Sequence, residues 1–208
     1  MIYLNEHIEF PDPSYATEDG LLAIGGDLKV ERLIEAYKRG IFPWFDKDQP
    51  ILWWSPDPRF VLFPEKLIVS KSMKQFIRNA DLRITFNTNF RDVISECAKI
   101  DRHGQDSSWI TASMIDAYCQ LHELGYAKSV EVWQDDQLVA GLYGVDLGNS
   151  VFCGESMFTK LSNASKAGFI NFVQSTSYKL IDCQVYTSHL ESLGAEYISR
   201  SEFISFLN

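Results

Sequence analysis

Asp182 and Gln184 stand two residues apart in the apolar run Leu180-Ile-Asp-Cys-Gln-Val185. In an extended strand, side chains at i and i+2 share a face, so a carboxylate and an amide are predicted to project together into a cleft. There Asp182 can polarise an amine or orient Gln184, as acid–base chemistry requires. The competing reading is a strand with one wetted face. Glu155, between Gly154 and Ser156, interrupts a second apolar stretch. It reads either as another cleft carboxylate or as a turn residue accepting local N–H bonds. Cys183 and His189 offer a thiol nucleophile and a base, although a free cysteine in an apolar strand is normally core. Neither HxxxH nor HExxH occurs, so no metal centre is expected.

Aromatic residues make up 13% of the chain, more than a core of this size needs, and some are assigned to a binding surface. Trp44, Trp53, Trp54 and Trp109 are the candidates for stacking on a nucleobase, a contact worth ~1–3 kcal/mol per base. Trp53 and Trp54 are assigned to packing. Lys71, Lys74 and Arg78 fall at i, i+3 and i+7 of a predicted helix, with Arg83 just beyond. They form either a phosphate-binding patch or a solvated face. A net charge of -9 excludes a basic nucleic-acid coat but permits such a local patch.

These residues need elements to hold them. The composition shifts near residues 55–65, where three of the seven prolines lie. This predicts a small aromatic-rich N-terminal α/β lobe over residues 1–62 and a larger domain over 63–208. In the lobe, Asp27 is expected to cap a helix that Gly40 ends. Beyond it, the periodicities predict a helix from Ser70 to Asn79 and a strand through Leu82, Ile84 and Phe86. A short helix and a longer one over Thr111–Leu124 follow. Three strands come next, then a helix from Asn163, a strand over Leu180–Val185, and a short helix and strand at the end. The class is α+β, with a mixed, mainly antiparallel sheet in the larger domain. This order is that of the GNAT-like N-acyltransferase fold, in which the strands flanking the long helix splay apart and leave a gap. Four widely spaced cysteines predict free thiols in a reducing compartment. With no signal-peptide pattern and no run of ~20 apolar residues, a cytoplasmic protein without a membrane partner is expected.

The runs Gly20-Leu-Leu-Ala-Ile-Gly-Gly-Asp-Leu28, Arg39-Gly-Ile-Phe-Pro-Trp-Phe45 and Ile51-Leu-Trp-Trp-Ser-Pro-Asp-Pro-Arg59 closely resemble the leucyl/phenylalanyl-tRNA–protein transferases. So do Trp109-Ile-Thr111, Phe152-Cys-Gly-Glu-Ser-Met-Phe158, Asn163-Ala-Ser-Lys166 and Leu180-Ile-Asp-Cys-Gln-Val185. The resemblance covers residues 20 to 195. It implies transfer of Leu or Phe, with Met a further option, from the 3′ end of an aminoacyl-tRNA to the N-terminal amine of a protein. That acceptor begins with Arg or Lys, and the product enters the N-degron pathway. The resemblance also places an apolar donor pocket at Leu142, Met157, Phe169, Phe172 and Ile181. Trp44 and Trp109, with Tyr118 nearby, meet the terminal adenosine. Lys71, Lys74, Arg78 and Arg83 would hold tRNA phosphates, and Glu155 an α-amino group. Leu142 and Phe169 depart from residues that other members can carry, Met and Leu.

An aminoacyl ester is already activated, and an α-amine of pKa ~7.7–8.0 is partly neutral in the cell. No cofactor is therefore expected. Coenzyme A binding, the alternative within this fold, needs a glycine-rich turn before the long helix. Phe158-Thr-Lys-Leu-Ser-Asn-Ala-Ser-Lys166 contains no glycine. A non-catalytic RNA-binding module would explain the tryptophans and the basic cluster but not the Asp182/Gln184 pair.

Overall fold

Local chemistry sets most element ends in the computed structural model, which describes residues 2–100 and 109–208. The elements of the first part are β1 (Ile2–Leu4), β2 (Leu21–Gly25), α1 (Val30–Lys38), β3 (Phe42–Pro43), β4 (Leu52–Trp54) and β5 (Arg59–Leu62). There follow α2 (Lys71–Asn79), β6 (Arg83–Phe86), α3 (Phe90–Ala98) and α4 (Ala112–Glu123). The rest comprises β7 (Ala127–Gln134), β8 (Gln137–Asp146), β9 (Val151–Thr159), α5 (Ala164–Ser175), β10 (Leu180–Gln184), α6 (Ser188–Glu191), β11 (Glu196–Ile198) and α7 (Arg200–Ser205).

Ser70, Thr111 and Ser199 cap α2, α4 and α7 by accepting the main-chain N–H groups of Met73, Met114 and Glu202. Asp27 behaves differently from expectation. Helix α1 starts at Val30 with no side-chain cap, and Asp27 instead accepts from the Lys29 main chain and from Arg32 Nε at 3.0 Å. Gly40 does end that helix, in the left-handed region at φ 72°. The hairpin turn Asp135-Asp136 holds positive φ at both residues, the twist that a two-residue loop requires. The chain ends on α7, not on the expected strand.

The strands form two sheets. A four-stranded one has the order β1-β2-β4-β3, and a seven-stranded one the order β11-β5-β10-β9-β8-β7-β6. β5 thus belongs to the larger sheet, and the change of sheet falls between Trp54 and Arg59, ahead of residue 62. All pairings in the larger sheet are antiparallel except β9 with β10. That strand order is the mixed, mainly antiparallel α+β arrangement expected of the larger domain.

Alternation along β8 sends neighbouring side chains to two cores. Tyr143 joins a core shared with Leu33 and Tyr37 of α1, Trp53 of β4, and Tyr118 and Leu121 of α4. Leu142 joins one with Phe169, Ile170 and Phe172 of α5 and Ile181 of β10. The first core runs through both sheets' surroundings, so the N-terminal lobe is welded to the larger domain by apolar burial. Each fully buried Leu or Phe adds ~1.5–3 kcal/mol to that weld. Helix α5 lies against the sheet at Gly168, where a Cβ would come within 2.6 Å of the Val132 side chain.

Candidate active site

The parallel pairing of β9 with β10 lasts only three residues, from Leu180↔Val151 to Asp182↔Cys153. Beyond that point β9 stays hydrogen-bonded to β8. β10 instead shifts register against β5 between Asp182 and Gln184, and Gln184 takes a positive φ of 62°. The two strands therefore part, and a cavity of about 430 Å³ opens between them. Its apolar wall includes Leu142, Phe152, Met157, Phe169, Ile181 and Leu190. A second cavity, of about 110 Å³, lies between Phe42, Pro43, Trp44 and Trp109. The two share Glu155, Gln184 and Val185.

A buried polar chain runs behind that junction. Arg59 Nε and Nη2 donate to the two oxygens of Asp182 at 2.8 and 2.6 Å. The guanidinium sits between the rings of Phe42 and Phe203, 4.7 and 4.6 Å from their centroids. Asp182 also accepts the Gln184 main-chain N–H at 2.8 Å, which pins the bulge. Gln184 Nε2 donates to Glu155 Oε1 at 2.8 Å, while its own Oε1 accepts no hydrogen bond among the described residues and is left as an acceptor. Glu155 Oε2 accepts from Tyr118 at 3.3 Å, and Tyr118 in turn bonds Tyr37. Burial pushes the Glu155 carboxyl from 4.5 up to about 8, against the pull of the Tyr37 and Tyr118 hydroxyls and with the Asp182 charge adding to the rise. Both tyrosine hydroxyls are raised well above their ordinary range, first by burial and then by Glu155.

The expected residues do not all come together. Leu142, Met157, Phe169 and Ile181 come together around the larger cavity, and Trp44 and Trp109 around the smaller one. Glu155 and Gln184 border both. Phe172 and Tyr118 border neither: Phe172 packs behind Phe152, with ring centroids 4.6 Å apart, and Tyr118 is wholly buried behind Glu155. Lys71, Lys74 and Arg78 are exposed on α2, and Arg83 is paired with Asp136 and lies over Trp133.

Asp182 and Gln184 both border the larger cavity, with the bulge of β10 between them. Both Asp182 oxygens already have donors, so the free-carboxylate reading gives way to a structural ion pair. Burial also raises the Cys183 thiol further from the range of an activated nucleophile. Sequence reasoning missed Arg59, Phe152 and Tyr37. An arginine opening the buried strand Arg-Phe-Val-Leu was the signal for the first.

A family model described as leucyl/phenylalanyl-tRNA protein transferase matches residues 61–208, and one for its N-terminal domain matches residues 26–57. The chain belongs to this family. It is accordingly an aminoacyltransferase. A leucyl/phenylalanyl-tRNA–protein transferase of Flavobacterium johnsoniae is 58% identical over all of this chain and 99% of its own length. Those of Christiangramia forsetii and Syntrophus aciditrophicus are each 54% identical, covering 100% and 98% of this chain and 100% and 86% of their own. Among solved structures, a GCN5-related N-acetyltransferase from Kribbella flavida is similar at a TM-score of 0.38 and 10% identity, over 78% of this chain and 58% of that one. So remote a likeness adds nothing to the strand order already described.

Proposed function

We propose that the larger cavity takes the Leu, Phe or Met side chain of an aminoacyl-tRNA and the smaller one its terminal adenosine. The observation that carries this reading is that the two cavities meet at Gln184 and Glu155. A donor lying across both has its ester carbonyl at that junction. An incoming α-amine meets the free Oε1 of Gln184, which can accept an N–H bond without titrating. Asp182 and Arg59 act through Gln184 by fixing its main chain. Most of the acceleration then comes from orienting an activated ester against an amine. The neutral carboxyl of Glu155 holds the Gln184 amide in register and stands ready for an α-amino group.

The acceptor is read as a protein beginning with Arg or Lys, and the product as a substrate of the N-degron pathway in the cytoplasm. Lys71, Lys74 and Arg78 carry no ion pair among the described residues, which suits loose contact with tRNA phosphates. In the expected division, residues 1–62 supply Phe42, Pro43, Trp44 and Arg59, and residues 63–208 the rest of the site. The test is transfer of labelled Leu from charged tRNA to an Arg-initiated peptide, with acetyl-coenzyme A as a control donor and Leu-, Phe-, Val- and Asp-tRNA in competition. Leu and Phe are expected to be used and Asp refused, and Leu142→Ala is expected to shift the ratio of Leu to Phe. An apolar pocket separates side chains differing by one methylene by ~1–3 kcal/mol. Equal use of Asp, or a donor ratio indifferent to Leu142→Ala, overturns the assignment.

A further inference from the structure

The attacking amine must lose a proton as the amide forms, and the wall of the larger cavity offers few groups to take it. Asp182 has three donors on its two oxygens. Glu155 is bonded to Gln184 and Tyr118, and with its carboxyl pushed up to about 8 it largely keeps its own proton at neutral pH. Gln184 does not titrate, and the Cys183 thiol is raised out of range. His189 also borders this cavity. Its Nε2 is buried and finds no hydrogen-bond partner among the described residues, an arrangement that a folded protein rarely leaves without a use. Burial, and then the neighbouring Lys166 charge, lower its affinity for a proton, so the ring is neutral near pH 7. Lys166 is itself held to Ser192 at 3.1 Å, one turn along from His189.

We propose that His189 is the general base of the transfer: its Nε2 takes the proton shed by the attacking amine and hands it to the departing ester oxygen. The amine lone pair forms the C–N bond and the carbonyl π pair moves to oxygen. The proton passes from nitrogen to the imidazole. As the tetrahedral intermediate collapses, the C–O bond breaks, and its electron pair leaves with the alcohol oxygen, which receives that proton. The imidazole ends as it began, and no further reactant is consumed.

This assignment rests on the larger cavity being the donor site. The test is single-turnover transfer from pre-bound aminoacyl-tRNA. His189→Ala and His189→Gln are each expected to slow the step by ~10²–10⁴-fold, the range for a positioned base, with tRNA affinity unchanged. Added imidazoles are expected to rescue His189→Ala, in proportion to their basicity. Should the alanine variant fail to fold, the glutamine variant carries the test, because it keeps a hydrogen-bonding group but cannot take the proton. A rate within about threefold of the parent for either folded variant, far below the loss of a base, overturns the proposal. So does rescue that ignores basicity. If only the base is misassigned, Leu142→Ala still alters donor choice; if the cavity is misassigned, it does not.

Discussion

Asp182 and Glu155 lie on adjacent strands and are both nearly excluded from solvent, 0% and 9% exposed. Their neighbourhoods make different groups of them. Asp182 faces a guanidinium in a two-point pair, which satisfies its charge in place. Glu155 faces an amide and a phenol, which bond it but bring no positive charge. Its carboxyl is therefore pushed up to about 8. The first carboxylate is a fixed anion that shapes a bulge, and the second is a proton-holding group at the junction of two cavities. Burial alone does not say what a carboxylate is for; the partner does.

The largest expected effect comes from breaking the ion pair. Arg59→Met leaves the Asp182 charge buried without a partner, and Asp182→Asn strands Arg59; each is expected to cost about 3–5 kcal/mol in urea unfolding. The double replacement Arg59→Met/Asp182→Leu is expected to recover most of that loss. Transfer activity of Asp182→Asn should fall below its folded fraction, because losing the ion pair loosens the hold on the Gln184 main chain. An unchanged urea midpoint for both single variants would remove the contrast between the two carboxylates.

Glu155 is expected to show itself through pH. In the unfolded chain it releases its proton near 4.5, whereas in the native protein it does so only near 8. Between those values the native state binds more protons, so stability falls as pH rises through the window, by at most about 4–5 kcal/mol. Glu155→Gln mimics the protonated form and should flatten that decline. The check is a set of urea unfolding curves from pH 5 to 9, and parallel declines in parent and variant would mean that Glu155 is not the titrating group. At the junction itself, Glu155→Gln is also expected to weaken substrate use, read as kcat/KM.

The smallest effect is expected far from both carboxylates. Lys74→Ala and Arg78→Ala should leave Tm within the range of ordinary surface substitutions. Each is expected to flatten the dependence of log KM on log salt by about 0.7–0.9, the contribution of one lost phosphate contact. An unchanged slope would make α2 a solvated face.

Legibility differed between parts of the molecule for physical reasons. The helices beginning near Ser70 and Thr111 were readable, because helix periodicity and capping are local. The pocket residues Leu142, Met157, Phe169 and Ile181 came from family motifs and are found around one cavity. Phe172 was misplaced by one layer, since a sequence shows that a residue is apolar but not whether Phe152 stands in front of it. Tyr118 was likewise placed near a ligand, when its hydroxyl belongs to a buried chain reaching Tyr37, 81 positions away.

What the sequence determined by itself was most of the element order, the α+β class, the family, and which residue types gather near the ends of β9 and β10. These follow from local periodicity and from long ordered motifs. Only the tertiary structure decided that Asp182 is taken by Arg59, 123 positions earlier, and that the register of β10 shifts between Asp182 and Gln184. It also decided that Glu155 is left without a cation and that His189 Nε2 is left without a partner among the described residues. Each depends on which distant chain segment fills the space beside a side chain, and that is settled by packing rather than by spacing along the chain.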